Sequence, residues 1–150
     1  MTVQDLLNKY ADDTISIIQG NMSSTKTNAS GSMSNSLQKK VTGSRAIVEG
    51  AAFIYVVETG RRPGKMPPVS KIAAWLNAKS IGVDNVNSAA YGIAKVIGEK
   101  GSKLWREGGR KDIITPALSE DRVDKLVAEI AKVKFVETVG VIEENVQDRR

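Results

Sequence analysis

The sequence predicts an α+β fold: a small antiparallel β-sheet packed by an N-terminal helix, a two-helix insertion and a C-terminal helix. Three observations support it. Helix-patterned segments open the chain and lie towards its end. A turn-centred, strand-like stretch occupies residues 37–50. A Pro67-Pro68 step then introduces two further segments with helical spacing. At 150 residues the chain suits a single domain, 1–150, large enough to bury a real core.

In order, Val3, Leu6, Leu7, Tyr10, Ile17 and Ile18 form the stripe of an amphipathic helix, with Thr2 as N-cap and Gly20 as its stop. Asp5 suits the positive end of that helix. Residues 21–36 are almost wholly Ser, Thr, Asn and Gly, and predict a flexible loop that a partner orders. Leu37 to Gly50 predicts a hairpin turning at Thr42-Gly43-Ser44. Its second strand leads into Phe53-Ile54-Tyr55-Val56-Val57, which periodicity leaves open between a buried strand and a short buried helix.

Glu58 ends that apolar run, and a carboxylate there needs a partner, either a backbone amide or an arginine such as Arg61 or Arg62. Gly60 stops the run, and Arg61, Arg62, Pro63, Gly64 and Lys65 form a basic loop leading to Met66. Val69, Ile72, Ala73, Leu76 and Ile81 predict one face of a helix, with Trp75 on its shoulder. A second helix starts at Asp84-Asn85 or Asn87-Ser88 and runs to Trp105, kinked near Gly98–Gly101. Gly108-Gly109 ends it, Ile113–Pro116 is extended, and a last helix starts near Ala117. Val133–Ile142 predicts a strand, with a polar tail from about residue 143.

The composition bounds the chemistry. The chain has no cysteine and no histidine, which removes thiol nucleophiles, a histidine base, His/Cys metal sites and disulfides. An enzyme built from carboxylates or lysine would need side chains brought together by the fold, and no motif signals that. No catalytic residue, metal site or cofactor is expected. No apolar run reaches the length of a membrane span, and the N-terminus lacks a signal-peptide pattern, so synthesis in a cytoplasm and no membrane partner are expected. Charge is uneven. Residues 39–111 carry 14 basic and 5 acidic side chains, whereas residues 112–150 carry 6 and 9. The basic middle suits DNA or an acidic partner, and the acidic end suits another subunit.

Two motifs imitate nucleotide and nucleic-acid sites. Gly60–Lys65 has the wrong glycine spacing for a P-loop and is followed by Met66 rather than Ser or Thr. Val96–Leu104, with Gly98 and Gly101, resembles the core of KH domains, whose GxxG loop clamps a nucleic-acid backbone. That resemblance implies an alternative function, a small KH-like nucleic-acid-binding module.

Four pieces in fixed order resemble the tail-completion, or tail-to-head joining, family of tailed bacteriophages. Ser30–Leu37 is similar to its TGxLxxS(I/L) element, and Tyr55–Gly60 to its YxxYVEFGT element. Met66-Pro67-Pro68-Val69, with Trp75-Leu76 and Ala89–Ala94 in the helices that follow, is similar to an insertion in several members. Thr115-Pro116-Ala117-Leu118 is similar to the family's PAL before its last helix. Ser30, Thr59 and Arg61 depart from the pattern, and nothing after Lys132 has a counterpart. The resemblance implies a structural virion protein, made in the host cytoplasm, that forms a homo-oligomeric ring in the head-to-tail connector. DNA would pass through that ring, and a portal-side adaptor or stopper and tail proteins would flank it. Tyr55, Glu58 and Gly60 would be a core element. Arg61, Arg62, Lys65 and Met66 would contact a neighbouring subunit or DNA.

Overall fold

Thr2 and Asp5 start the chain's first helix by satisfying each other. The Thr2 hydroxyl accepts from the Asp5 amide (3.2 Å), and the Asp5 carboxylate accepts from the Thr2 amide (2.8 Å). In the computed structural model, which describes residues 1–52 and 54–147, this helix is α1, Val3–Ser24. It passes through Gly20, the expected stop. An interior glycine costs about 1 kcal/mol. Continuing for another turn buries Met22, only 1% exposed, and burying such a side chain is worth about 1.5–3 kcal/mol. Burial wins.

The expected loop over 21–36 is accordingly revised. Asn21–Ser24 belong to α1, and a short helix α2, Ser32–Asn35, follows. Met33 packs on the core, and the buried Ser34 lends its carbonyl to Gln19. A polar composition concealed two methionines that were worth burying.

The hairpin forms as expected. Strands β1, Gln38–Thr42, and β2, Arg45–Glu49, pair antiparallel with Val41 opposite Ala46. Gly43 supplies the positive φ (57°) that the two-residue turn needs at its first position. This pair is the sheet of the α+β fold, and it lies on α1. Beyond it the chain turns at Ala51, where the Ile54 amide bonds to the Ala51 carbonyl, and forms a single helical turn α3, Val56–Thr59. The helical alternative therefore holds at Val56 and Val57; Phe53 lies outside the described residues.

Pro67-Pro68 precede α4, Val69–Ala78, and Asn85 caps α5, Val86–Lys100. Leu76, Ala90 and Ala94 are buried between these two helices, where the alanines permit close approach. Ile81, expected on the α4 face, falls beyond the helix and is exposed. Gly101 breaks the helical run, and Ser102 caps the short α6, Lys103–Arg106. Gly108 and Gly109, both at positive φ, turn the chain into 110–114. A 3₁₀ turn, Thr115–Leu118, then leads into α7, Glu120–Gln147.

The main core joins Ile18 and Met22 of α1 to Ile113 and Ala117, with Ile54, Val57, Met33 and Leu37 around them. Helix α7 packs on α1 near its own start. The Arg122 guanidinium lies 4.9 Å from the Tyr10 ring centroid and donates to the Thr14 hydroxyl (3.2 Å).

The strand expected at Val133–Ile142 is overturned, as is the tail expected to begin at 143, because α7 continues unbroken to Gln147. A strand there would need a partner edge for its amides, whereas a helix satisfies its own. Residues 148–150 of the expected tail lie outside the described residues.

Candidate interaction site at the basic loop

Ile54 and Val57 pack against the core and carry Glu58 to a specific place. Its Oε1 accepts from three successive backbone amides, Ile113 (2.9 Å), Ile114 (2.6 Å) and Thr115 (2.9 Å). Its Oε2 accepts from the Thr115 hydroxyl (2.8 Å). The Glu58 carbonyl accepts from the Arg110 amide (2.8 Å). The partner is thus a run of backbone amides, and not Arg61 or Arg62. Burial alone would raise the Glu58 carboxyl. The bonds from Thr115, Ile113 and Ile114 outweigh it and hold the group below the usual glutamate range. Arg110 reaches Asp112 with two bonds of 2.6 and 2.7 Å, which stiffen the same turn and lower the Asp112 carboxyl.

Gly60, at φ 73°, carries the chain from this clamp into the basic loop. A Cβ on Gly60 would stand 2.3 Å from the Trp105 amide nitrogen, so only glycine lets α3 and α6 meet here. The loop is tied along its length. The Arg61 amide donates to the Ser102 hydroxyl (2.9 Å), and the Arg61 carbonyl accepts from the Ser102 amide (2.8 Å). Farther on, the Gly64 amide donates to the Gly98 carbonyl (2.8 Å), and the Arg61 guanidinium donates to the Lys65 carbonyl (3.2 Å).

The fold brings Arg61, Arg62 and Lys65 to one exposed edge. Among the described residues none of the three pairs with a carboxylate. They border a depression of about 680 Å³ whose wall includes Tyr55 and Trp105. Met66, also exposed, continues the edge. Tyr55 is exposed and belongs to this surface, whereas Glu58 and the buried Gly60 form the frame beneath it. Cations beside aromatic faces suit phosphates or the carboxylates of another protein.

No protein-family model, curated protein or solved structure matches the chain. The site's character therefore rests on its own geometry.

The Gly98–Gly101 segment, the KH-like motif, is covered by the chain itself. A Cβ on Gly98 would lie 3.1 Å from the Met66 Cα, and one on Gly101 would lie 3.0 Å from the Arg61 carbonyl oxygen. The two glycines give the basic loop a flat bed rather than an open clamp. Among the described residues there are two strands, with no third strand beside them. No group of three or more His, Cys, Asp or Glu side chains among the described residues could hold a metal ion. No helix there is long and apolar enough to cross a membrane.

Two parts of this site escaped the sequence. Ser102 could have been found as a helix cap after a glycine, since its hydroxyl also accepts from the Trp105 amide (3.3 Å). The amides of 113–115 carry no residue-type signal, and nothing in the sequence marks them as an anion cup.

Proposed function

We propose that this chain is a structural virion protein of a tailed bacteriophage. It would form a homo-oligomeric ring in the head-to-tail connector, through which DNA passes. The observation that carries this is the contact between two of the four family-like elements. Tyr55–Gly60 and Thr115–Leu118, far apart in sequence, are joined through the two bonds that Glu58 accepts from Thr115. The contact supports the reading by making the two elements parts of one arrangement. The exposed cations Arg61, Arg62 and Lys65, with Met66, then serve as a contact to a neighbouring subunit or to lumenal DNA. Its role is assembly rather than catalysis and requires no cofactor. Its neighbours are a portal-side adaptor or stopper and the tail proteins.

Mass spectrometry of particles from the encoding phage, with cryo-electron microscopy of their necks, tests this. The chain is expected in mature virions, as a ring between portal and tail. Particles that lack the chain and yet carry tails would overturn the assignment.

A further inference from the structure

The depression beside the basic loop is lined by Arg61, Arg62 and Lys65, and by no carboxylate. The acidic side chains nearest in sequence are engaged elsewhere. Both Glu58 oxygens are taken by residues 113–115, and Glu107 faces Lys103 (3.7 Å). Glu99 of α5 lies outside the lining. The Arg61 guanidinium also donates to the Lys65 carbonyl, which orients it and leaves its charge unpaired.

The same depression carries two open rings. Tyr55 is 60% exposed and Trp105 is 43% exposed. Trp105 is nonetheless fixed in place. A Cβ on Gly101 would stand 2.8 Å from the Trp105 Cδ1, so one edge of the indole lies hard against the Gly101 backbone. The backbone of α6 is tied to the loop through Ser102. Cations and rings therefore share one rigid frame, in a space of a size that takes a nucleotide-sized group.

We infer that this depression binds an unpaired nucleic-acid strand, with phosphates on Arg61, Arg62 and Lys65 and a base stacked on Trp105 or Tyr55. Stacking platforms beside a cationic track are how proteins hold single strands without reading their sequence. An acidic protein segment would satisfy the cations and leave both rings unused. A duplex offers phosphates but keeps its base faces stacked inside. A single strand, or the frayed end of a duplex, uses both halves of the site. This contact deepens the proposed function of the basic edge and rests on that reading of it.

Fluorescence titration of the full-length chain tests this, in a Trp75→Phe background where Trp105 is the remaining tryptophan. An oligothymidylate of about 12 nucleotides, within the usual site size, is compared with a duplex of the same length and with poly-L-glutamate. The single strand is expected to quench Trp105 and to bind about tenfold or more tighter than the other two. Its affinity should fall with a log–log salt slope of about −2, from about 0.7 for each of three phosphates. Trp105→Ala, read by anisotropy of a labelled strand, should weaken binding about 5- to 150-fold, and Trp105→Phe should retain most of it. Tyr55→Ala changes an exposed ring and serves as a second variant if the Trp105 change disturbs α6; circular dichroism verifies each fold. A duplex that binds as tightly as the strand overturns the inference, as do Trp105→Ala and Tyr55→Ala variants that both bind unchanged. Poly-L-glutamate that binds as tightly assigns the site to an acidic protein segment and overturns it too, and so does a strand that fails to bind at low salt. A chain that binds the strand but is absent from virions overturns the ring and leaves this contact standing; a virion ring that ignores the strand does the reverse.

Discussion

Glu58 and Thr115 are joined by two bonds, one to the Thr115 amide (2.9 Å) and one to its hydroxyl (2.8 Å). With the Ile113 and Ile114 amides, this pairing makes a single carboxylate the hinge between α3 and the entry to α7. Glu58→Ala strands three backbone amides at once. Each unsatisfied buried amide costs about 1–3 kcal/mol, and partial access to water reduces the total towards the lower end. A loss of about 2 kcal/mol is expected in urea denaturation. Glu58→Gln, which keeps a carbonyl oxygen for the amides, should lose less than half as much.

The same clamp is sensitive to acid. The folded-state carboxyl is depressed, so its contribution is fully present above the ordinary glutamate value of about 4.3. That contribution declines as pH falls below this value through the folded one. The stability difference between wild type and Glu58→Gln should therefore shrink on acidification within that window and stay constant above about pH 5.5. A difference that widens on acidification contradicts the clamp.

Two glycines should respond in opposite directions to alanine. Gly60→Ala places a Cβ 2.3 Å from the Trp105 amide nitrogen at a positive φ, and should cost more than about 2 kcal/mol. Gly20→Ala, in an exposed turn of α1 with open space around it, should gain about 0.5–1 kcal/mol. Thermal melts of the two single variants on either side of wild type provide the measurement.

The basic edge is expected to matter for assembly and not for folding. Arg61→Ala, Arg62→Ala and Lys65→Ala together remove exposed side chains whose backbone ties remain. The melting curve should stay within about 0.5 kcal/mol of wild type. Complementation of a phage lacking the gene should nevertheless fail, with tails and filled heads left unjoined.

A chain ending after Lys134 loses no buried side chain among the described residues of α7, none of which is buried. It should melt close to wild type. A large loss of stability would mean that the distal helix braces its own subunit.

What the sequence revealed follows from how local each signal is. The hairpin was legible because Gly43 and the alternation around it specify a turn without outside help. At Gly101 a kink in a helix running to Trp105 was legible, whereas the helix ends at Lys100 and a separate one starts at Lys103. Gly20 misled because a weak local penalty met the burial of Met22, a tertiary effect. Val133–Ile142 misled because its β-branched residues fit a strand, while the 4-3 spacing of Phe135, Val139 and Ile142 fits a helix; among the described residues the two strands pair only with each other. The need of Glu58 for a partner was legible, but the partner was not. Backbone amides have no letter in the sequence, and the nearby arginines were decoys.

The basic loop is anchored to α5 and α6 through Ser102 and the Gly98 carbonyl. Arg61, Arg62 and Lys65 consequently stand on a frame that is already rigid before anything docks. Fixing a free backbone costs about 1–2 kcal/mol per residue, whereas immobilising a side chain costs about 0.5–1.5 kcal/mol. A tethered strand of cations would have to freeze both on contact. This one freezes only its side chains, so a weak and transient encounter with a partner is enough to register.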